Sequence, residues 1–270
     1  MKKSLIAIAL AAMVAPAWGA EVVSSNIVGY QKITLYPGLN MIGGLFQGVG
    51  TGQSLTLQAQ FSDDATKSKF GTGDDVADTI MTYDGEHQEY DKTYYFYADP
   101  DNPDPVYDYT WDDTSTDDIT PDSLAGAKGG WYRNRANAAI QLTMAGEVPT
   151  NAVYTFTLEP GLNFVANPYP QEIALNGQFF SVDHPVYGTG DDVADTIMTY
   201  DGEHQEYDKT YYFYADPDNP DPAYDYTWDD TATDDITDFA VQPGQGFWYR
   251  HRGSGATLTF TRPYAVPANN

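Results

Sequence analysis

The chain has 270 residues, of which 39 are acidic and 13 basic, and its formal net charge is −26. A chain this acidic repels nucleic acid and anionic membrane surfaces, so its natural partners are cations or basic surfaces. It contains no cysteine, so no disulfide contributes to its stability, which must come from core burial. Aromatic residues make up 14% of the chain, and this content argues against disorder despite the charge.

The first twenty residues have the pattern of a secretory signal peptide. Lys2 and Lys3 precede an apolar run from 5 to 15, and Ala17-Trp18-Gly19 offers small residues at a cleavage site. We therefore predict a signal peptide at 1–20 and an exported mature protein, in the periplasm, at the cell surface or outside the cell. No second apolar run approaches the roughly 18 residues of a membrane span.

One stretch occurs twice. Residues 71–120 recur as 188–237, with differences only at Val106/Ala223 and Ser115/Ala232. Each copy, called here an acidic block, carries fifteen Asp or Glu residues and a single lysine. The two blocks therefore hold the whole net negative charge of the mature chain.

The repeat extends beyond the identical blocks. The motif Leu-x-Pro-Gly-Leu-Asn occurs at 35–40 and again at 158–163. We predict two tandem units, unit 1 at 21–149 and unit 2 at 150–270. A recent duplication alone would also explain the near identity.

The local patterns indicate strands. Residues 78–83 and 89–98 flank the turn sequence Asp-Gly-Glu-His at 84–87 and predict a β-hairpin. Prolines then predict an extended loop at 99–105, and 107–111 predicts a strand with aromatic residues in the core and carboxylates in water. The stretch 54–61 is ambiguous between a short strand and one helical turn. The predicted fold class is all-β, with two tandem antiparallel β-sandwich-like units related by internal duplication.

Several motifs also resemble a known family. Asn-Ile-Val-Gly-Tyr at 26–30, the Pro-Gly-Leu-Asn turns, Gly-Glu-Val-Pro at 146–149 and Gly-Gln-Gly-Phe-Trp-Tyr-Arg at 244–250 are similar to motifs of duplicated, secreted β-proteins from Verrucomicrobia-like and related Gram-negative bacteria. The resemblance implies a duplicated β fold and a location outside the cytoplasm. It carries over no catalytic residue.

The proline-punctuated acidic loops predict a calcium site in each unit. Calcium takes six to eight oxygen ligands, and these loops supply carboxylate and amide oxygens at near-alternating positions. The alternative is that the side chains only solvate the loops. The candidate ligands are Asp99, Asp101, Asn102, Asp104 and Asp108 in unit 1, and Asp216, Asp218, Asn219, Asp221 and Asp225 in unit 2.

Two further features leave alternatives open. The sequence Gly-Thr-Gly-Asp-Asp-Val-Ala-Asp at 71–78, repeated at 188–195, supplies further cation ligands or forms a Gly-Asp turn before a strand. Aromatic residues occupy both faces of the second hairpin strand, so some rings are either exposed, to stack on a sugar or contact a protein, or buried between sheets. The candidate ligand-binding tyrosines are Tyr95, Tyr97, Tyr212 and Tyr214.

Histidine and arginine positions give weaker signals. His87 and His204 lie singly in predicted turns, which favours surface histidines over a zinc site. The arginines are expected to pair with the acidic blocks of their own chain, or alternatively to dock the acidic loop of a neighbouring molecule; they are Arg133, Arg135, Arg250 and Arg252.

We expect a non-enzymatic, exported structural or adhesive protein whose acidic loops bind calcium and mediate self-assembly. The sequence shows no cysteine and no nucleophile or phosphate-binding motif, so a hydrolase that uses paired carboxylates is a distant third hypothesis. The second hypothesis is a carbohydrate-binding protein that takes a surface glycan on its tyrosine faces.

Overall fold

The structure, a computed structural model, describes residues 27–61, 68–101, 108–218 and 225–266. The predicted signal peptide lies outside these ranges. The described chain is nearly all β, with antiparallel strand pairing in every sheet and one short helix, α1 (Leu57–Phe61). The all-β prediction is confirmed.

Each unit contributes its own set of strands. Those of unit 1 are β1 (Val28–Leu35), β2 (Gly38–Gly43), β3 (Thr79–Asp84), β4 (Glu89–Tyr97), β5 (Thr110–Asp113), β6 (Asp118–Ile119), β7 (Gly129–Asn134) and β8 (Ile140–Glu147). Those of unit 2 are β9 (Val153–Leu158), β10 (Gly161–Ala166), β11 (Ile173–Ala174), β12 (Phe180–Val182), β13 (Thr196–Asp201), β14 (Glu206–Tyr214), β15 (Thr227–Asp230), β16 (Asp235–Ile236), β17 (Ala240–Val241), β18 (Gly246–His251) and β19 (Ala256–Thr261).

A six-stranded sheet dominates each unit, in the order β2-β7-β3-β4-β5-β6 in unit 1 and β10-β18-β13-β14-β15-β16 in unit 2. The predicted hairpin forms in both units, with Ile80 opposite Tyr94 and Ile197 opposite Tyr211. The acidic block therefore supplies the hairpin and the two strands that end each sheet.

A smaller sheet covers one face of each large sheet. In unit 2 the sheet β12-β19-β9 lies across a core that includes Leu258, Tyr211 and Trp228. In unit 1 the pair β1-β8 covers a core that includes Leu142, Phe96 and Trp111. Each unit is thus a sandwich whose alternate strand residues meet in one apolar layer.

The ambiguous stretch takes a different form in each unit. In unit 1 it ends in α1, whose Leu57 and Phe61 are buried. In unit 2 the matching stretch forms β11, which pairs with β17. The two units therefore differ in structure where their sequences diverge.

The Pro-Gly turns do not close hairpins. β1 pairs with β8 and β2 pairs with β7, so the turn between β1 and β2 carries the chain from one sheet to the other. Gly38 and Gly161 have φ of 95° and 101°, a backbone region that side chains rarely adopt. At each, an added Cβ would also meet the amide end of a glutamine side chain of the other unit, so a larger residue would strain the backbone and displace that glutamine.

Candidate functional site

The two units meet through a reciprocal contact. The outer faces of β2, β3 and β7 pack against those of β10, β13 and β18. The centre is an apolar cluster, the interface cluster, in which all four residues are at most 9% exposed. Its members are Met41, Trp131, Phe164 and Trp248.

Aromatic rings from both hairpins complete the interface cluster. Tyr83 of unit 1 lies edge-on to Trp248 of unit 2 at 4.8 Å, and Tyr200 of unit 2 lies edge-on to Trp131 of unit 1 at 4.9 Å. The Phe164 ring contacts both tryptophans. Its centroid lies 4.3 Å from the Trp248 ring centroid and 5.5 Å from that of Trp131. Edge-to-face geometry is the favoured arrangement of aromatic rings, so each unit holds the other in the same way.

Two glutamines extend this reciprocity to the backbone. Gln88 accepts the N–H of Leu162 at 2.8 Å and donates to the Leu162 carbonyl at 2.9 Å. Gln205 makes the same pair of bonds to Leu39, at 2.7 and 2.9 Å. We call Gln88 and Gln205 the glutamine clamps. Each hairpin turn is therefore hydrogen-bonded to the backbone of the other unit.

The described parts of the candidate calcium loops are shaped by their own carboxylates. The N–H of Asp101 donates to Asp99 Oδ1 at 3.0 Å, and the N–H of Asp99 donates to Asp108 Oδ1 at 3.0 Å. Unit 2 repeats both bonds, at Asp216, Asp218 and Asp225. The other four candidate ligands lie outside the described residues: Asn102, Asp104, Asn219 and Asp221.

Within the ranges that the structure describes, no group of three or more His, Cys, Asp or Glu side chains is placed to hold a metal ion. The contact between Asp99 and Asp108 is the hydrogen bond from the Asp99 backbone N–H to the Asp108 carboxylate. The arrangement is that of aspartate-capped turns, in which a carboxylate replaces a backbone acceptor.

Of the four candidate tyrosines, two are buried, which is one of the two alternatives that the sequence left open. Tyr95 and Tyr212 are only 4% and 2% exposed, whereas Tyr97 and Tyr214 are half-buried. The Tyr95 hydroxyl donates to Asp117 at 3.2 Å, because the turn between β5 and β6 folds over it. Burial, with the nearby Asp234 carboxylate, raises the pKa of Tyr212 to about 12. Tyr95 and Tyr212 therefore leave no ring face open for a sugar to stack on.

The predicted exposure of strand carboxylates is wrong at one position in each unit. Asp112 and Asp229, the strand aspartates, are each 2% exposed. The Thr110 hydroxyl donates to Asp112 Oδ1 at 2.7 Å, and Asp112 lies opposite Tyr95 in the strand register. Burial is the main cause that raises the pKa of both strand aspartates. The outer face of this strand pair is covered by its own side chains.

The Gly-Asp segment at 71–78 forms a turn around a buried carboxylate. Asp78 is fully buried; it accepts the Tyr132 hydroxyl at 2.9 Å and the Arg135 N–H at 2.7 Å, each on a different oxygen. The Arg135 guanidinium donates to the Asp74 carbonyl, as Arg252 does to the Asp191 carbonyl in unit 2. Asp78 is thus a structural acceptor, and these two arginines bind backbone carbonyls of the turn, while Arg133 and Arg250 are exposed.

Unit 2 adds a histidine to this buried group. His251 Nδ1 lies 3.0 Å from Asp195 Oδ2, and both side chains are fully buried. Its Nε2 atom is buried without a hydrogen-bond partner in the described residues. Unit 1 has Asn134 at the same place, where it bonds to the Leu35 carbonyl. The motif Trp-Tyr-Arg is followed by Asn134 in unit 1 and by His251 in unit 2. This difference is the sequence signal for the His251–Asp195 pair.

His87 and His204, the turn histidines, are surface residues, as predicted. His87 Nδ1 lies 2.8 Å from Asp84 Oδ2, and His204 Nδ1 lies 2.7 Å from Asp201 Oδ2. The hydrogen bond to its aspartate raises the pKa of each histidine and lowers the pKa of the partner carboxyl. Each pair closes a hairpin turn beside a glutamine clamp.

Unit 2 has a cleft that the sequence analysis did not find. Its volume is about 280 Å³, and four of its eleven lining residues are aromatic: Phe180, Phe213, Tyr226 and Trp228. Exposed rings continue from its mouth, where Tyr187 lies edge-on to Tyr226 at 5.4 Å. Concave, mostly apolar clefts with a few polar groups are the usual sites of small ligands.

No protein-family model matches the chain, and the searches of curated proteins and of solved structures found no significant similarity. In the described part of the chain, no helix is long and apolar enough to cross a membrane.

Proposed function

We propose that the protein is a non-enzymatic, exported structural or adhesive module that presents two equivalent acidic surfaces to its surroundings. One observation carries the proposal: the reciprocal contact between the units fixes two nearly identical acidic blocks on one packed body. β4, β5 and β6 continue the sheet of unit 1 beyond the strands that contact unit 2. Two equal surfaces on one molecule suit bivalent attachment or end-to-end assembly.

The proposed location outside the cytoplasm rests on the signal-peptide pattern of residues 1–20 and on the resemblance to secreted β-proteins. The absence of cysteine fits a protein whose stability comes from two cores and the interface cluster between them. These features support the proposal without depending on a ligand.

Calcium is the proposed link between acidic surfaces. The loop at 99–108 and its counterpart at 216–225 would hold the ion through carboxylate and amide oxygens, and a divalent cation would offset the repulsion among their charges. The proposal depends on Asn102 and Asp104, and on Asn219 and Asp221, to complete a ligand set that the described residues do not assemble.

Thermal unfolding tests the calcium proposal. A ligand that binds only the folded state raises its stability, by about 2.7 kcal/mol at a concentration 100 times Kd. We expect calcium to raise the Tm and EDTA to lower it, and the double variant Asp104→Asn, Asp221→Asn to lose the response. The matched control is Asp118→Asn with Asp235→Asn, two exposed acidic residues outside the loops. An equal Tm in calcium and EDTA would end the calcium proposal.

Assembly is tested separately by particle size and electron microscopy of concentrated protein. A bivalent module should form chains or sheets, whereas lowering the charge of one block should stop growth at small oligomers. The charge of the unit 1 block can be lowered at Asp101 and Asp118, and that of the unit 2 block at Asp218 and Asp235, all exposed. A strictly monomeric wild-type protein at every calcium concentration would contradict the structural role.

A further inference from the structure

The two units differ beside the strands β5 and β15. In unit 1, Gln58 of α1 accepts the Trp111 N–H at 2.9 Å and donates to the Tyr109 carbonyl at 2.9 Å. In unit 2, Asn176 accepts the corresponding Trp228 N–H at 2.7 Å from a turn that follows β11. The same strand edge is therefore packed by a helix in unit 1 and by a shorter side chain on a turn in unit 2, where the cleft lies.

The cleft of unit 2 has an aromatic floor and an exposed rim. Phe180 and Trp228 are 5% and 3% exposed, while Tyr226 at the rim is 62% exposed. Phe213 stands 5.3 Å from the Trp228 ring. Ser181, which is exposed, adds a hydroxyl to the lining. The Phe180 and Phe213 rings are tilted by 69° and 52° to the Trp228 ring, so the floor is not flat, and the ring surface open to a ligand is that of half-buried Phe213 and exposed Tyr226.

Tyr226 is held at the mouth of the cleft by its backbone. Its φ of 62° lies in the left-handed region, which costs a non-glycine residue on the order of 1 kcal/mol. The N–H of Tyr226 donates to the Tyr214 carbonyl at 2.8 Å, and its ring lies edge-on to Tyr187, which is 45% exposed. A bulky aromatic residue kept on a strained backbone and in water is a pattern associated with binding sites.

We propose that this cleft binds one pyranose ring of an uncharged oligosaccharide, with Tyr226 and Tyr187 contacting the neighbouring sugar. The C–H groups on the face of a pyranose are weakly positive and pack on the electron-rich faces of aromatic rings. The volume of about 280 Å³ lies just below the usual range for ligand pockets, roughly 300–1,000 Å³, which fits a ligand as small as one sugar ring.

Charge and size select this ligand over others. The net charge of −26 and the half-buried Asp225 and Asp216 near the mouth repel acidic glycans and nucleic acid. A protein partner would need about 800 Å² of contact surface on each side, far more than a cleft for one ring supplies. The proposed contacts with the sugar use aromatic rings and no carboxylate, so glycan binding can be tested separately from the candidate calcium ligands Asp216 and Asp225.

Unit 1 offers a matched control for the test. Tyr109 has the same exposed, left-handed backbone as Tyr226, with φ of 61°, and lies edge-on to Phe70 at 5.3 Å. It differs in having α1 bonded to the strand edge beside it. Tyr226→Ala and Tyr109→Ala therefore remove equivalent side chains with equal backbone strain, one beside the cleft and one beside the helix.

The experiment uses the mature protein on an array of neutral, amino-substituted and acidic oligosaccharides, followed by calorimetric titration of a retained neutral one. We expect neutral glycans to be retained and acidic ones excluded. Tyr226→Ala should raise Kd about tenfold, the equivalent of ~1.4 kcal/mol, while Tyr109→Ala leaves it unchanged. Binding should also change the Trp fluorescence, and Trp228→Phe should remove that change, with the Tm of the variant measured to confirm that it folds, because Trp228 is also a core residue.

Three results would overturn the inference: no retained neutral glycan, retention of acidic glycans only, or an equal effect of Tyr226→Ala and Tyr109→Ala. The equal effect would indicate that exposed tyrosines act anywhere on the surface and that the cleft does not matter. A pull-down that captures a protein, with no glycan retained on the array, would likewise replace the sugar with a protein partner.

Discussion

Trp248→Ala is the most direct test of the reciprocal interface. Trp248 is 3% exposed. Its ring centroid lies 4.8 Å from that of Tyr83 across the interface and 4.3 Å from that of Phe164 in its own unit, and its Nε1–H donates to the Tyr207 hydroxyl, also in unit 2, at 3.1 Å. Replacing a buried Trp by Ala costs about 3–5 kcal/mol. Since Trp248 belongs to the interface cluster and its Tyr83 contact joins the two units, the variant should weaken the contact between the units as well as the packing within unit 2.

The expected effect is large enough to measure by calorimetry. For a domain of this size, 1 kcal/mol shifts Tm by roughly 2–4 °C, so Trp248→Ala should lower Tm by about 6–20 °C. Loss of the coupling should also broaden the transition or split it into two, one for each unit. Trp131→Ala, the counterpart in unit 1, should behave alike because it contacts Tyr200 at 4.9 Å.

The control is Tyr30→Ala, which removes an aromatic ring that is 74% exposed on β1. Surface substitutions of this kind change stability by about 0.5 kcal/mol or less. A double-mutant cycle between Tyr83 and Trp248 should give a coupling of about 0.5–1.5 kcal/mol. A Tm for Trp248→Ala within the range of the control, with no measurable coupling, would show that the units do not depend on each other.

Three further outcomes are expected. Replacing both glutamine clamps by Ala should lower the free energy of unfolding by about 2–6 kcal/mol, because two hydrogen bonds are lost at each clamp and each contributes about 0.5–1.5 kcal/mol. Glu89→Ala, an exposed neighbour, is the control, and equal urea midpoints for both variants would refute the clamping role. The Tm should fall as pH rises from about 4 to 8, because the pKa of the turn histidines and of the strand aspartates is raised in the folded state. A group with a raised pKa contributes stability that is lost as pH rises through that pKa. A Tm that rises over this range would contradict the assigned shifts. Gly38→Ala should destabilise the protein by more than 1 kcal/mol, measured by urea unfolding, because of its positive φ and the Gln205 side chain against it, and Gly52→Ala, with positive φ but open space, should cost less.

The hairpins could be predicted because turn chemistry and alternation agree there. Asp-Gly at the turn and apolar residues at every second strand position lead to the observed pairing of Ile80 with Tyr94. The next strand shows where alternation fails. Tyr109 has a left-handed backbone that breaks the extended conformation just before β5, so Tyr109 is exposed and Asp112 buried, contrary to the prediction from period two. The alternation of apolar and polar residues does not show where a single residue adopts a positive φ.

The interface between the units left one signal in the sequence. Trp131 and Tyr132 are adjacent, as are Trp248 and Tyr249, and all four are at most 3% exposed. Neighbouring strand residues point to opposite faces, so two buried aromatic residues in a row indicate a strand covered on both sides. The partner of the second face could not be predicted, because it depends on how two folded units dock. The cleft lies where unit 2 has β11 and a turn and unit 1 has α1. The sequence of this stretch was ambiguous between strand and helix, so the cleft could not be predicted.

The reciprocal contact also gives a physical reason for keeping the blocks alike. The two blocks differ in sequence at only two positions. Val106/Ala223 lies outside the residues that the structure describes, and Ser115/Ala232 is exposed in both units. Tyr83 and Gln88 of one block, by contrast, make the same contacts as Tyr200 and Gln205 of the other. Since each hairpin must fit both its own sheet and the opposite unit, a change in one block alone would break the match on that side only. Two units that clamp each other through one shared sequence are constrained to change it together, or only where the interface does not reach.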